Sequence, residues 1–177
     1  RGNRTRKSHS SKRDAFNSTN EGPIAIVKEK IEWKTKYKST TENTTLKTGF
    51  DSKIGMVWAH PGLNIEDWEN MTSGKNGIII AGTGLGHINS ELLDSIGKTT
   101  KDIPVAMSSQ CLSGSTNLNV YRNGRKLLKH GVVETHDMLP ETALVKMMWL
   151  SKHHPEDIKK KMSENIAGEI SNSRKLS

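Results

Sequence analysis

From Lys53 onward, short β-prone runs alternate with stretches of helical periodicity, and no other feature of the chain narrows its possible folds as much. The run KIGMVWA ends at His60-Pro61-Gly62, after which NIEDWENM places Ile65, Trp68 and Met71 three apart behind Asn64, a good N-cap residue. GIIIAG is a β-branched strand, followed by a glycine loop and by NSELLDSIGKTTK, a helix expected to be capped by Asn89 or Ser90. PVAMSS is the next strand and YRNGRKLLKHG the next helix, with Gly131 where a C-cap belongs. GVVET then leads to LPETALVKMMWLSK, whose Pro140 suits a first helical turn, and a helix restarts at Pro155. This order predicts an α/β protein with a small parallel sheet of about four strands covered by helices on both faces, a three-layer domain.

The chain before residue 53 reads differently. Ile24 to Val27 and Ile31 to Trp33 are β-prone runs separated by a polar turn, which predicts a small hairpin. YKSTTENTTLKTGFDS, residues 37–52, lacks apolar periodicity and reads as a linker. The first 13 residues hold six basic side chains and no acid, and show no periodicity of an element of their own. The net charge of +8 therefore sits mostly there, since the remaining 21 basic and 19 acidic side chains nearly cancel. A basic edge of this kind can steer RNA, but a solvated edge is the commoner case, so charge does not decide the function.

At 177 residues and 32% apolar content the chain is long enough for one sizeable core and a smaller appendage. No apolar stretch approaches the ~18 residues of a membrane helix, and no secretion signal is visible, so a cytoplasmic location is expected. The single Cys111 excludes an internal disulfide and fits a reducing compartment, where the N-x-S/T triplets at Asn3, Asn17, Asn43 and Asn70 would be chance.

Several residues carry possible chemistry. Gly82, Gly84 and Gly86 are spaced G-x-G-x-G rather than G-x-G-x-x-G, and no acidic residue ends a strand at the proper distance, so the dinucleotide reading fails on spacing. A loop between a strand and a helix of a parallel sheet is nonetheless where ligands bind, and a tight turn needing positive φ is the alternative. His60 and His87 belong to the same expected edge, but two histidines lack the ligand count of a metal site. Cys111 also falls on that edge, with nothing in sequence to identify a base for it. His153 and His154 are expected to face solvent at a helix break before Pro155. Met147, Met148 and Trp149 read as core.

RTRKSHSSKRDAFNSTNEGPIA, GIIIAGTGLGH, SSQCLSGSTNLNVYRNGRKLLKHGV and DMLPETALVKMMW occur in that order and together resemble the type I asparaginase superfamily. Within it the sequence is most similar to the D-type subunits of the archaeal glutamyl-tRNA(Gln) amidotransferases, in the DMLPETA and NIAGEIS stretches above all. The resemblance covers essentially the whole chain and corresponds to the C-terminal part of the family's proteins. It implies that residues 1–50 end a catalytic N-terminal domain and that residues 51–177 form the smaller C-terminal α/β domain, the whole being a fragment.

The family's two threonine nucleophiles and their acidic partner have no counterpart here, which implies that this polypeptide alone is inactive. The lysine that closes that domain corresponds to Lys7, implying a catalytic role in helping to deprotonate the second threonine for attack on an amide carbon. By the same resemblance Gly82, Thr83, Gly84, Leu85, Gly86 and Tyr121 border the amidase pocket of a neighbouring copy in a homodimer. Cys111 corresponds to an effector-site cysteine of cytoplasmic relatives. Leu85 and Tyr121 depart from the asparagine and acid of some secreted asparaginases, so the substrate-amine contacts of those enzymes do not carry over. The implied substrate is glutamine and the product ammonia, passed to a tRNA-binding partner subunit that uses ATP and magnesium to turn Glu-tRNA(Gln) into Gln-tRNA(Gln). No cofactor, metal or membrane is implied for this chain. A cytoplasmic L-asparaginase and a non-catalytic RNA- or protein-binding α/β module are the competing expectations.

Overall fold

A computed structural model describes residues 2–36, 43 and 45–171. The predicted alternation from residue 53 is realised as a parallel sheet of β5 (Ile54–Trp58), β6 (Gly77–Gly82), β7 (Val105–Ser109) and β8 (Val133–Glu134), laid side by side in chain order. The register pairs Met56 with Ile79, Ile79 with Ala106 and Ala106 with Val133. All residues of β6 and β7 are buried, as the central strands of a sheet covered on both faces must be.

Alternation along these strands divides the core in two. Ile78, Ile80, Val105 and Met107 face one layer, built from Trp68 of α1 (Ile65–Thr72), Ile96 of α2 (Leu93–Asp102) and Leu127 of α3 (Arg122–Lys129). Ile79 and Ala106 face the other, where α4 (Pro140–His153) contributes Ala143, Met147 and Leu150, and α5 (Ile158–Met162) contributes Ile158 and Met162. Each fully buried side chain of this size contributes about 1.5–3 kcal/mol. Trp68 also satisfies its indole, which donates to Thr99 Oγ1 at 3.0 Å.

Local signals set most boundaries. Asn64 caps α1 in a reciprocal box with Asp67, and Pro140 occupies the first turn of α4. The start of α2 differs from expectation: a 3-10 turn, Ser90–Leu92, precedes it, and no side chain caps either element. Asn89 instead donates its amide to the Leu63 carbonyl at 2.6 Å, because the loop after β5 passes close enough to compete for it. The His153-His154 pair is a second correction. Both rings are half-buried against Trp149, with centroids 5.1 and 5.2 Å away, although the helix does break before Pro155 as expected.

The third correction concerns the basic start, which has structure of its own. Gly2–Arg4 forms a 3-10 turn, and β1 (Thr5–Lys7) pairs antiparallel with β2 (Phe16–Ser18). Arg4 is only 3% exposed and Arg6 half-buried, whereas Lys7, Lys12 and Arg13 are exposed, so only the later part of the run is a solvated basic edge. Two hydrogen bonds dock the turn on the C-terminal half. Thr142 Oγ1 donates to the Asn3 carbonyl at 2.6 Å, and Asn3 Nδ2 to that of Ala167 at 2.8 Å. The predicted second hairpin is present as β3 (Ala25–Val27) against β4 (Ile31–Trp33). Of the expected linker over residues 37–52, positions 37–42 and 44 lie outside the described residues. Its end is laid along α4, where the Asp51 amide donates to the Met148 carbonyl at 3.0 Å. Among the described residues no helix is long and apolar enough to cross a membrane.

Candidate functional site

In a parallel sheet the loops leaving the strand C-termini gather on one edge, where backbone groups not used by the ladder can meet a ligand. Here that edge is made by His60-Pro61-Gly62, by residues 83–87, by residues 110–121 and by residues 135–139. The glycine loop is a closed turn: the Thr83 and His87 amides each donate to the other's carbonyl, at 2.9 and 2.8 Å. Gly84 and Gly86 have φ of 51° and 108°, which accounts for their spacing, because non-glycine residues seldom adopt such angles. A side chain at Gly86 would also collide, since its Cβ would lie 2.9 Å from Leu118 and Met107.

Residues after β7 hold this loop from the side. Ser109 Oγ donates to the Gly84 carbonyl at 2.6 Å, and the Asn117 amide to the Leu85 carbonyl at 2.9 Å. Gln110 Nε2 donates to the carbonyls of Ala59 and Ala81, at 2.7 and 2.8 Å, tying the ends of β5 and β6 together. The site is therefore preformed rather than a flexible lip. Thr83 and Gly84 stay exposed at its surface, Leu85 is half-buried, and Gly82 and Gly86 are buried beneath.

Tyr121, at the N-terminal end of α3, is brought to the same place. Its ring stands edge-on to that of half-buried His87 at 4.8 Å and remains 53% exposed beside the glycine turn. Arg125 Nη1 fixes the approach to α3 by donating to the carbonyls of Asn119 and Val120, both at 3.0 Å. Cys111 is exposed on the neighbouring loop, its amide donating to Ser109 Oγ at 3.1 Å. The structure thus gathers Gly82 to Gly86, His87, Tyr121 and the Ser109 to Cys111 turn. Among the described residues no group of three or more His, Cys, Asp or Glu could hold a metal ion.

Lys7 is carried by the hairpin instead. It is exposed, opposite Phe16 in the register, with its ammonium 5.8 Å from the centre of that ring. Sequence reasoning missed what lies beside it. Buried Arg4 donates through Nη1 to Asp137 Oδ2 at 2.9 Å and through Nε to the Gly168 carbonyl at 2.6 Å. Burial pushes the Asp137 carboxyl up, but bonds from the Ser171 hydroxyl and amide and from Arg4 outweigh it and hold the group below its ordinary value. The only signal in the sequence was Arg4 within a charged run, which composition alone reads as solvated.

A second recess, of about 500 Å³, lies away from the edge against α4, lined by Phe50, Val145, Trp149 and Ile166 among others. Beside it Lys146 and Glu169 form a buried ion pair at 2.6 Å.

The fold is that of the asparaginases: residues 53–162 match the Glutaminase/Asparaginase C-terminal domain and residues 1–39 the Asparaginase, N-terminal family, and the chain belongs to this glutaminase and asparaginase family. It is 44% identical to the D-type subunit of the glutamyl-tRNA(Gln) amidotransferase of Saccharolobus solfataricus, over 96% of this chain and 40% of that protein. The protein of the same description from Thermoplasma acidophilum is 41% identical, over 94% of this chain and 41% of the relative. Among solved structures, the thermostable L-asparaginase from Thermococcus kodakarensis superposes with a TM-score of 0.90 at 34% identity, covering 97% of this chain and 54% of that one. The chain thus spans about two fifths of the length of these curated relatives.

Proposed function

We propose that this chain works within a longer protein as part of the glutaminase subunit of a tRNA-dependent amidotransferase. The observation that carries the reading is the continuous match at 44% identity, over 96% of the chain, to a protein described as a subunit of such an enzyme. In this reading residues 1–50 complete a catalytic domain whose threonines lie outside the chain, and residues 51–177 form the accessory α/β domain. Lys7 acts as the proton-transfer group that helps to deprotonate a threonine hydroxyl, which then attacks the side-chain amide carbon of glutamine and releases ammonia. The Gly82 to Gly86 turn and Tyr121 border the amidase pocket of a neighbouring copy, and Cys111 marks an effector region. Ammonia passes to a tRNA-binding partner subunit, which uses ATP and magnesium to amidate Glu-tRNA(Gln) in the cytoplasm.

A free L-asparaginase is the second reading, favoured by the close superposition on the enzyme from Thermococcus kodakarensis. Ammonia release by the whole protein, from glutamine and from asparagine, with and without partner subunit and Glu-tRNA, separates the two. Stimulation of glutamine hydrolysis by partner and tRNA is expected, and partner-independent turnover of asparagine alone would replace the proposal with the second reading. Lys7→Met in the whole protein is expected to abolish amide hydrolysis while leaving its melting temperature within a few degrees, since Lys7 is exposed and packs against no core residue. Retained turnover would remove Lys7 from the mechanism.

A further inference from the structure

The hairpin bearing Lys7 is held at its open end, where the Thr19 amide donates to the Arg4 carbonyl at 3.2 Å, by loops of the sheet's C-terminal edge and by the C-terminal segment. On the side of β1, Arg4 donates to Asp137 Oδ2 at 2.9 Å, to Ser171 Oγ at 3.1 Å and to the Gly168 carbonyl at 2.6 Å, and Glu21 lies 3.7 Å from its other terminal nitrogen. Asp137 belongs to the loop leaving β8 and is itself fixed by the Ser171 amide at 2.9 Å. On the side of the returning strand β2, Asn20 and Gly114 bond reciprocally. Asn20 Nδ2 donates to the Gly114 carbonyl at 3.0 Å, and the Gly114 amide donates to Asn20 Oδ1 at 2.8 Å. Gly114 belongs to the loop leaving β7, a few residues beyond Cys111. The two anchors are joined as well, because the amide and hydroxyl of Thr116 both donate to the His136 carbonyl, at 3.0 and 3.3 Å. A closed ring of contacts therefore runs from Arg4 through Asp137, His136, Thr116 and Gly114 to Asn20, and back to Arg4 through the Thr19 amide.

An apolar side chain would anchor a strand to a core at less desolvation cost than a buried guanidinium. What the guanidinium adds is direction. Its fork fixes the roll and slide of the strand that carries it, whereas an apolar contact tolerates both. Lys7 lies only three residues beyond Arg4, roughly 10 Å of extended chain, so an error at Arg4 reaches the ammonium with little to absorb it.

We infer that the Arg4 to Asp137 pair, with the Asn20 to Gly114 pair on the adjacent strand at the same open end of the hairpin, is a positioning device through which the α/β domain aligns Lys7 for amide hydrolysis. The inference rests on Lys7 being the proton-transfer group of the proposed glutaminase. It assigns Arg4, Asp137 and Asn20 to turnover rather than to substrate binding.

Steady-state ammonia release by the whole protein tests it, with kcat expressed per folded molecule. Arg4→Lys and Asp137→Asn are expected to lower kcat by about a hundredfold, the effect of misplacing a reacting group by about 1 Å, with KM within about twofold. Asp137→Glu, which keeps the charge, should recover part of the loss. Ile96→Ala serves as a stability control: it opens the other core layer under α2 and lowers the melting temperature, with kcat unchanged. Should Asp137→Asn fail to accumulate, Asn20→Ala, at a half-buried surface position, carries the test through a smaller fall in kcat at constant KM. Wild-type kcat in Arg4→Lys and Asn20→Ala would overturn the inference while leaving Lys7 in place. An active Lys7→Met enzyme would overturn both, and the two failures are thereby distinguished.

Discussion

Asp137 is a carboxylate that the folded chain keeps ionised against its own burial, because Ser171 and Arg4 together stabilise the charge more than the loss of water destabilises it. A folded-state pKa below that of the unfolded chain contributes stability that is present above about pH 3.9 and disappears as pH falls through the folded value. Asp51, through bonds from Ser151, Asn76 and the Lys53 amide, is shifted in the same direction. The protein is therefore expected to lose stability steeply below about pH 4, and Asp137→Asn to flatten that acid limb while lowering stability at pH 7. Urea midpoints measured at pH 7 and at successive acid values check this. Equal slopes in the two proteins would mean that Asp137 titrates alike folded and unfolded.

At the scale of single elements, α1 rests on its cap more than on its length. It has eight residues, one of them buried, and its first turn is closed by the Asn64 side chain accepting from the Asp67 amide at 3.0 Å. Asn64→Ala is expected to cost about 1 kcal/mol, read as a shift of the urea midpoint at constant slope. Elements of this kind were legible in sequence because their signals are local: the β-branched run of β6, Asn64 before α1, Pro140 inside α4 and Gly131 after α3. The glycine turn was legible for the same reason, since positive φ at Gly84 and Gly86 is a property of the backbone there. The β1 and β2 hairpin was not. Its residues are mostly polar, and what stabilises them lies far along the chain, Asp137 being 133 residues from Arg4. The ring contact of His87 with Tyr121 was hidden likewise, because it depends on how α3 docks and not on any spacing. The role of Lys7 came from resemblance, and its flanking residues show no local pattern that would single it out.

At the scale of the whole molecule, the C-terminal segment acts as a strap. Lys146 of α4 donates to the Met162 carbonyl at 3.2 Å and pairs with Glu169 at 2.6 Å, and the segment so held offers Ala167 and Gly168 to Asn3 and Arg4. Lys146→Met leaves the Glu169 charge buried without its partner and is expected to cost about 3–5 kcal/mol. Replacing both, as Lys146→Met with Glu169→Leu, should restore much of the stability. Hydrogen exchange on Lys146→Met is expected to show faster exchange in β1 and β2 while β6 and β7 stay protected, and uniform acceleration would indicate that no strap exists.

The separation of Arg4 from its partners also sets an order of events during synthesis. Asp137 and Gly168 lie 133 and 164 residues beyond Arg4, so a ribosome must deliver most of this sequence before the guanidinium has both of these partners. The sheet, added strand by strand in chain order, can form earlier. The hairpin, made before the sheet, is thus fully locked after it, and a chain released before Gly168 carries a folded sheet but an incompletely anchored Arg4, a built-in delay between folding and competence.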